Sequence, residues 1–250
     1  MIAFSTGSLS PRSAKVVWSG VSAAGASAAA VEAASSYAPD LDVAAAYASA
    51  PPADLDVVQK NIDGSDLVGA IGFTINGLAA RYPNLAPAMD RHMNEGGKET
   101  LQNLSTMCTD EITKAYGHQR TSQWTNSGLS LDEILGDIPE GQKAMNDQFI
   151  GHGVPAAPTM IVSGRHDLNV EYQQARDLAD NWCANGGEVF YRDDILPKIE
   201  GYNHFAQAIS GAPFGVGFIL AMFNDASGAG ACSGIDIPGG SGEIPIPSSS

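Results

Sequence analysis

The stretch VVWSGVSAAGASAAAV, residues 16–31, joins two kinds of secondary structure through a serine. Its first residues are β-branched and aromatic, which is typical of a buried strand, and its alanine-rich second half is typical of a helix. The stretch DLDVAAAYAS, residues 40–49, indicates a second buried strand, which ends before Pro51 and Pro52. Because strand, helix and strand follow one another, this βαβ unit predicts an α/β fold with a mostly parallel sheet and flanking helices.

The corner between the first strand and its helix reads GVSAA, residues 20–24. A strand-to-helix turn of the form G-x-S-x-[GA] is typical of a nucleophile elbow, which projects a serine hydroxyl above the carboxyl ends of a parallel sheet. The positions two before and two after Ser22 must be small, since strand and helix almost touch there, and Ala24 stands where glycine is usual. An ordinary turn with Ser22 as a helix cap is the alternative.

A serine nucleophile needs a histidine to accept its proton and a carboxylate to orient that histidine. In α/β hydrolases these follow in the order serine, acid, histidine. Asp167 comes directly after the predicted strand 157–164, and His204 follows the predicted strand 188–193 and precedes the last predicted helix, 205–223. Because each of the three residues follows its own strand, we expect them at the same edge of the sheet.

Other residues compete for these roles. Asp167 could instead cap the predicted helix 170–187, and Asp193 and Asp194 end the next strand and are rivals for the acid. The other histidines of the chain are His92, His118, His152 and His166. The first three fall in or beside a long insertion, and His166 would lie next to the acid that it should bond, so His204 is the preferred base.

The insertion covers residues 53–155, where helical patterns alternate with Gly, Asn and Pro and no strand is indicated. A block of this length is too long for a connection within a compact sheet. We therefore predict a first part of the α/β core at 1–52, a helical insertion at 53–155 and a second part of the core at 156–232. Residues 233–250 are rich in Gly, Pro and Ser, which predicts a flexible tail.

Composition excludes several classes of function. The chain has 13 basic and 28 acidic residues and a formal net charge of −15, which argues against nucleic acid or an anionic membrane surface as partner. No run approaches the roughly 18 apolar residues of a membrane span, and FGVGFILAMF, residues 214–223, predicts a packed helix. The histidines and cysteines lack the spacing typical of metal sites.

Taken together, these segments resemble the secretory lipases of the α/β-hydrolase superfamily, the group of bacterial secreted lipases and of the Candida antarctica lipase A type. The run from the elbow through YAPDLDV to PPADL is the more specific part, and APTMIVSGRHDLNV and GYNHFAQA follow the general pattern of the superfamily. The resemblance implies Ser22 as nucleophile, Asp167 as acid and His204 as base, with no cofactor. It also implies an acyl ester or lipid substrate and a helical lid formed by the insertion.

The sequence departs from the family at and before the elbow. The family usually has glutamine and glycine where this chain has Ala23 and Ala24. The Ala23 N–H can still serve as one oxyanion donor, but in the family the second donor lies in a segment that precedes the elbow, together with the first sheet strands. We therefore expect the N-terminal strands to be missing, and an exposed sheet edge that causes poor solubility or a homodimer.

Three cysteines are an odd number, so at least one has no partner within the chain. Cys183 and Cys232 flank the last predicted elements and are candidates for a disulfide. Cys108 resembles a cysteine of the family whose partner lies upstream. Such pairing implies a secreted protein, although the start of the chain lacks the features of a signal peptide. Three buried thiols in a cytosolic protein are the alternative.

Two other functions fit the same pattern. One is a non-catalytic protein of this fold that acts as a binding or structural partner. The other is a different acyl-transfer enzyme, such as a peptidase or an acyltransferase.

Overall fold

The computed structural model describes residues 15–21, 24–199, 201–224 and 230–233. The chain divides into two compact units, one formed by Met1–Ala53 and Ile150–Ser250 and the other by Asp54–Phe149. The strands are β1 (Lys15–Val21), β2 (Asp42–Ser49), β3 (Thr159–Gly164) and β4 (Val189–Asp194). The helices are α1 (Ala24–Tyr37), α2 (Leu55–Ile62), α3 (Gly69–Arg81), α4 (Leu85–His92), α5 (Glu95–Leu104), α6 (Thr109–Tyr116), α7 (Leu131–Asp137), α8 (Pro139–Gln148), α9 (Tyr172–Ala184) and α10 (Asn203–Phe223), with a 3₁₀ helix at Thr121–Trp124.

The first unit contains a parallel sheet with the strand order β1-β2-β3-β4. Val21 is paired with Ser49, and Gly164 with Asp194, so the carboxyl ends of the strands share one edge. The predicted α/β class with a parallel sheet and flanking helices is therefore confirmed. The residues that leave the strands at this edge are the ones that can meet in a site.

Helices cover both faces of the sheet, which explains why β2 is apolar from Val43 to Ala48. Ala46 and Ala48 belong to a core that α1 and α9 close with Val31 and Trp182. The alternate residues Ala45 and Tyr47 belong to a second core, to which α10 contributes Phe218 and Met222.

Helix α10 crosses close above the ring of Tyr47. A side chain at Gly215 would place its Cβ only 2.7 Å from the ring carbon Cζ, so glycine permits this approach. The helix begins at Asn203, two residues before the predicted start, and the packing predicted for 214–223 is confirmed. It is also the one described helix that is long and apolar enough to cross a membrane, by length and composition alone.

A disulfide joins Cys183 near the end of α9 to Cys232, with a Cα–Cα distance of 5.8 Å. The Cys232 backbone N–H also donates a hydrogen bond to the Val189 carbonyl at 2.7 Å, so Cys232 is fixed beside β4. The expected pairing of Cys183 with Cys232 is confirmed. Cys108 is an exposed free cysteine among the described residues.

The second unit, Asp54–Phe149, is built from α2–α8 and the 3₁₀ helix. Ile71, Ile75 and Leu78 of α3 are buried in the core of this unit. Side chains cap several helices: Asp54 accepts from the Asp56 N–H at 2.9 Å, and Asn94 from the Gly97 N–H at 2.8 Å. The apolar run LVGAIGFTINGL, residues 67–78, thus contributes to the core of this unit. All but the first residue of the predicted tail, 233–250, lies outside the described residues.

Candidate active site

The predicted nucleophile lies at the joint between β1 and α1. Strand β1 ends at Val21 and α1 begins at Ala24, so the strand-then-helix setting of an elbow is present. Ser22 and Ala23, the predicted nucleophile and oxyanion donor, lie outside the described residues. The start of α1 is crowded, because Ala24 is fully buried and a Cβ on Gly25 would lie 3.0 Å from Cγ of Pro52. This crowding explains the small residues after Ser22.

Asp167 lies in the loop that follows β3, and its side chain is fully buried. The oxygen Oδ1 accepts backbone N–H groups of Asn169 at 2.9 Å and Val170 at 3.0 Å. The oxygen Oδ2 lies 2.8 Å from Nδ1 of His204 and accepts a second bond from the Gln207 side-chain amide. Both oxygens are therefore held, and a buried carboxylate with this many donors is well stabilised.

His204 stands in the first turn of α10 and is 4% exposed. Because Oδ2 of Asp167 accepts from an amide and Oδ1 from two backbone N–H groups, the carboxylate acts as an acceptor, and we assign a proton to Nδ1 of His204. In the neutral imidazole the lone pair is then on Nε2, which is the nitrogen that a general base uses.

The start of α10 is itself anchored to the loop before it. The Asn203 side chain accepts the Ile199 N–H at 2.7 Å and donates to the Pro197 carbonyl at 3.0 Å. The ring of Phe205 meets the His204 imidazole edge-on, with centroids 5.3 Å apart. These contacts fix the direction in which His204 leaves the helix.

The rival acids have other partners. Asp193 accepts the Tyr172 hydroxyl at 2.7 Å and the Arg165 guanidinium at 3.0 Å, and Asp194 accepts the Ser210 hydroxyl at 2.9 Å. The proposed capping role of Asp167 is present in a modified form, since its Oδ1 closes the turn at 167–170, ahead of α9.

The rival histidines lie elsewhere in the chain. His152 and His166 are exposed, and His92 and His118 belong to the helical unit. Among the residues proposed from the sequence, the structure thus joins Asp167 to His204.

The described residues contain no cluster of three or more His, Cys, Asp or Glu side chains suited to a metal ion.

Burial controls the titration of the aromatic hydroxyls near the sheet. Desolvation raises the pKa of Tyr47, with the nearby Asp194 carboxylate as a smaller cause. Desolvation likewise raises the pKa of Tyr191. The hydrogen bond to Asp193 raises the pKa of the exposed Arg165 guanidinium.

Sequence reasoning missed Gln207, which is fully buried and donates to the same carboxylate oxygen as His204. Gln207 follows His204 by three residues, and residues at this spacing share a helix face. The signal in the sequence is a polar residue in an apolar helix, on the same face as the candidate base.

A family model described as secretory lipase matches residues 3–230. Among curated proteins, a probable inactive lipase of Mycobacterium tuberculosis is 34% identical over 76% of this chain and 42% of its own length. A secreted triacylglycerol lipase of Malassezia furfur is 24% identical over 76% of this chain and 38% of its own length. The chain therefore spans less than half the length of these two relatives.

Candida antarctica lipase A in its closed state is similar in structure. It superposes with a TM-score of 0.77 at 21% sequence identity, over 87% of this chain and 50% of its own chain. This likeness supports the same α/β fold, with a parallel sheet between helices.

Proposed function

The chain belongs to the secretory lipase family, and from this premise we propose that it is a serine ester hydrolase with Ser22 as nucleophile, His204 as base and Asp167 as acid. One observation carries the proposal: the buried hydrogen bond of 2.8 Å between His204 and Asp167. Both residues follow strands whose carboxyl ends share the edge at which β1 ends, directly before Ser22.

In the proposed reaction the Ser22 hydroxyl oxygen attacks the ester carbonyl carbon while Nε2 of His204 takes the hydroxyl proton. The Ala23 N–H donates to the oxyanion of the tetrahedral intermediate. His204 then gives the proton to the leaving alcohol, and an acyl-enzyme remains. A water molecule, deprotonated by His204, releases the acid and restores Ser22, while Asp167 stabilises the imidazolium in both steps.

We propose acyl esters, including triacylglycerols, as substrates. The support is the family and the Malassezia furfur relative, which is named a secreted triacylglycerol lipase. The helical unit Asp54–Phe149 is proposed as a lid on the family resemblance alone, since Ile71, Ile75 and Leu78 of its most apolar helix serve its own core. Secretion is proposed from the relatives and from the disulfide between Cys183 and Cys232.

A non-catalytic role is the second candidate. It is favoured by the Mycobacterium tuberculosis relative, the more similar of the two curated proteins, which is named a probable inactive lipase.

The test is hydrolysis of p-nitrophenyl esters of short and long acyl chains by the wild type and by Ser22→Ala. Ser36→Ala is the matched control, because Ser36 is an exposed serine on α1. We expect Ser22→Ala to lower kcat by about 10³-fold or more and Ser36→Ala to leave it unchanged. Peptide and alcohol acceptors supplied beside water separate a peptidase or an acyltransferase from a hydrolase. Equal rates for the wild type and Ser22→Ala would favour the non-catalytic candidate.

A further inference from the structure

We propose that Gln207 is a positioning residue for Asp167, and through it for His204. The inference rests on the proposed function, because it assigns Gln207 a task within the same site. Its Nε2 donates to Oδ2 of Asp167, the oxygen that also receives Nδ1 of His204. Two side chains of one helix thus converge on one carboxylate oxygen.

The helix geometry makes this convergence direct. His204 and Gln207 are three residues apart in α10 and lie on the same face. Both are buried against the loop that carries Asp167, at 4% and 0% exposure. A movement of α10 that carries His204 away from Asp167 therefore also breaks the Gln207 bond.

The partners of Asp167 divide into two pairs with different tasks. The backbone N–H groups of Asn169 and Val170 hold Oδ1 and so fix the loop. Among the described residues, Gln207 is the partner of Oδ2 that is not itself the base. Without its amide, Oδ2 would be held by His204 alone, and the carboxylate could turn out of the imidazole plane whenever the proton moves.

The side-chain amide of Gln207 is hydrogen-bonded at its nitrogen and not at its oxygen. Among the described residues its Oε1 is a buried oxygen without a hydrogen-bond partner. An unpaired buried polar atom costs stability, and an apolar side chain of the same length would avoid this cost. The amide therefore costs stability at Oε1 and gains a bond to Asp167 at Nε2.

The test compares Gln207→Met with Gln59→Met. Methionine keeps the length of glutamine and its tolerance for helices but removes the donor. Gln59 is a matched control because it is 2% exposed and donates to the Leu55 carbonyl in the helical unit. Gln207→Glu is the second variant, since it keeps the shape but places a second carboxyl group against Asp167.

Two readouts are taken from each variant. The first is the NMR signal of the imidazole Nδ1 proton of His204 in histidine-labelled protein, assigned by its loss in His204→Ala; this readout requires no catalysis. The second is kcat and KM on a p-nitrophenyl ester. Thermal unfolding reports whether each variant is folded.

We expect Gln207→Met to unfold no earlier than the wild type, to broaden or shift the Nδ1 proton signal, and to lower kcat about tenfold with KM unchanged. Gln207→Glu should lower kcat further, and Gln59→Met should change neither readout. An unchanged Nδ1 signal together with unchanged kcat in Gln207→Met would overturn the proposal. If the wild type does not hydrolyse esters, the proposed function fails, and the Nδ1 signal alone decides whether Gln207 positions the pair.

Discussion

Asp167 and Asp193 stand at the ends of neighbouring strands of one sheet and differ in their partners. Asp167 is fully buried and shares a hydrogen bond with an imidazole, whose charge changes with protonation. Asp193 is 13% exposed at its side chain and faces Arg165, whose guanidinium stays charged, and the Tyr172 hydroxyl. A carboxylate beside a permanent cation holds structure together, whereas one beside a titratable base can support proton transfer.

The two clusters are the Asp167–His204 pair and the Asp193 cluster of Asp193, Arg165 and Tyr172. They also differ in how far their charges are exposed to water. Arg165 is half exposed, and its guanidinium lies 5.2 Å from the centroid of the Tyr172 ring, so water and an aromatic face share its charge. Water does not screen the Asp167–His204 pair in this way, because both side chains are at most 4% exposed. A charge that forms on the imidazole must therefore be compensated by Asp167.

The largest expected effect separates the two aspartates directly. Asp167→Asn should lower kcat by about 10⁴-fold, because an amide at this position favours the wrong imidazole tautomer. Asp193→Asn should change kcat less than tenfold, since its partners lie outside the proposed reaction. The two rates are compared on one p-nitrophenyl ester, and comparable losses in both variants would remove the distinction.

Removal of the disulfide should weaken the scaffold of both clusters at once. Cys183 and Cys232 are 49 residues apart, and opening a loop of this length costs about 4 kcal/mol in the chain-entropy model. The variant Cys183→Ser with Cys232→Ser should therefore unfold at much lower denaturant, while the ratio between the Asp167→Asn and Asp193→Asn rates stays the same. A changed ratio would mean that the disulfide acts on one cluster specifically.

Alkaline pH should destabilise the core beside the Asp193 cluster. Burial raises the folded pKa of Tyr191 above its ordinary value of 10.0, so the stabilisation from its neutral hydroxyl is complete below pH 10 and is lost as the pH rises through the folded pKa. Above pH 10 the unfolded state loses the proton first, so the free energy of unfolding falls by about 1.4 kcal/mol per pH unit. Tyr191→Phe should reduce this slope and leave the part that the buried Tyr47 contributes, as measured by urea unfolding between pH 9 and about 11. Tyr37→Phe, at a residue 90% exposed, is the control and should retain it.

The smallest effect is expected at Tyr172. Tyr172→Phe removes the hydroxyl that donates to Asp193 at 2.7 Å. Because Arg165 still pairs with Asp193, we expect a loss of about 1 kcal/mol or less in the free energy of unfolding and no change in kcat. A loss of activity in this variant would contradict a purely structural role for the Asp193 cluster.

Much of the fold can be predicted from the sequence because its strands and helices have characteristic local residue patterns. The βαβ pattern of residues 15–49 predicts the parallel sheet, and the absence of strand patterns in 53–155 predicts helices. The start of α10 at Asn203 is harder to predict from the sequence. Asn203 is held by contacts to Pro197 and Ile199 in the preceding loop and not by a cap motif.

The candidate site was predictable in part. Chain order and strand ends select Asp167 and His204, and the structure joins them at 2.8 Å. Sequence alone left Asp193 and Asp194 as rivals, since the difference depends on burial and on which side chains approach across the sheet. Gln207 was not proposed for the same reason: its partner is 40 residues away in the chain.

The most direct measurement is labelling with an alkyl fluorophosphonate, followed by peptide mass mapping, in the wild type, His204→Ala and His166→Ala. We expect a phosphonate adduct on Ser22 in the wild type and in His166→Ala, because His166 is exposed and has no role in the proposed reaction. We expect this adduct to be lost in His204→Ala. No adduct on Ser22 in the folded wild type, or equal labelling without His204, would contradict the triad.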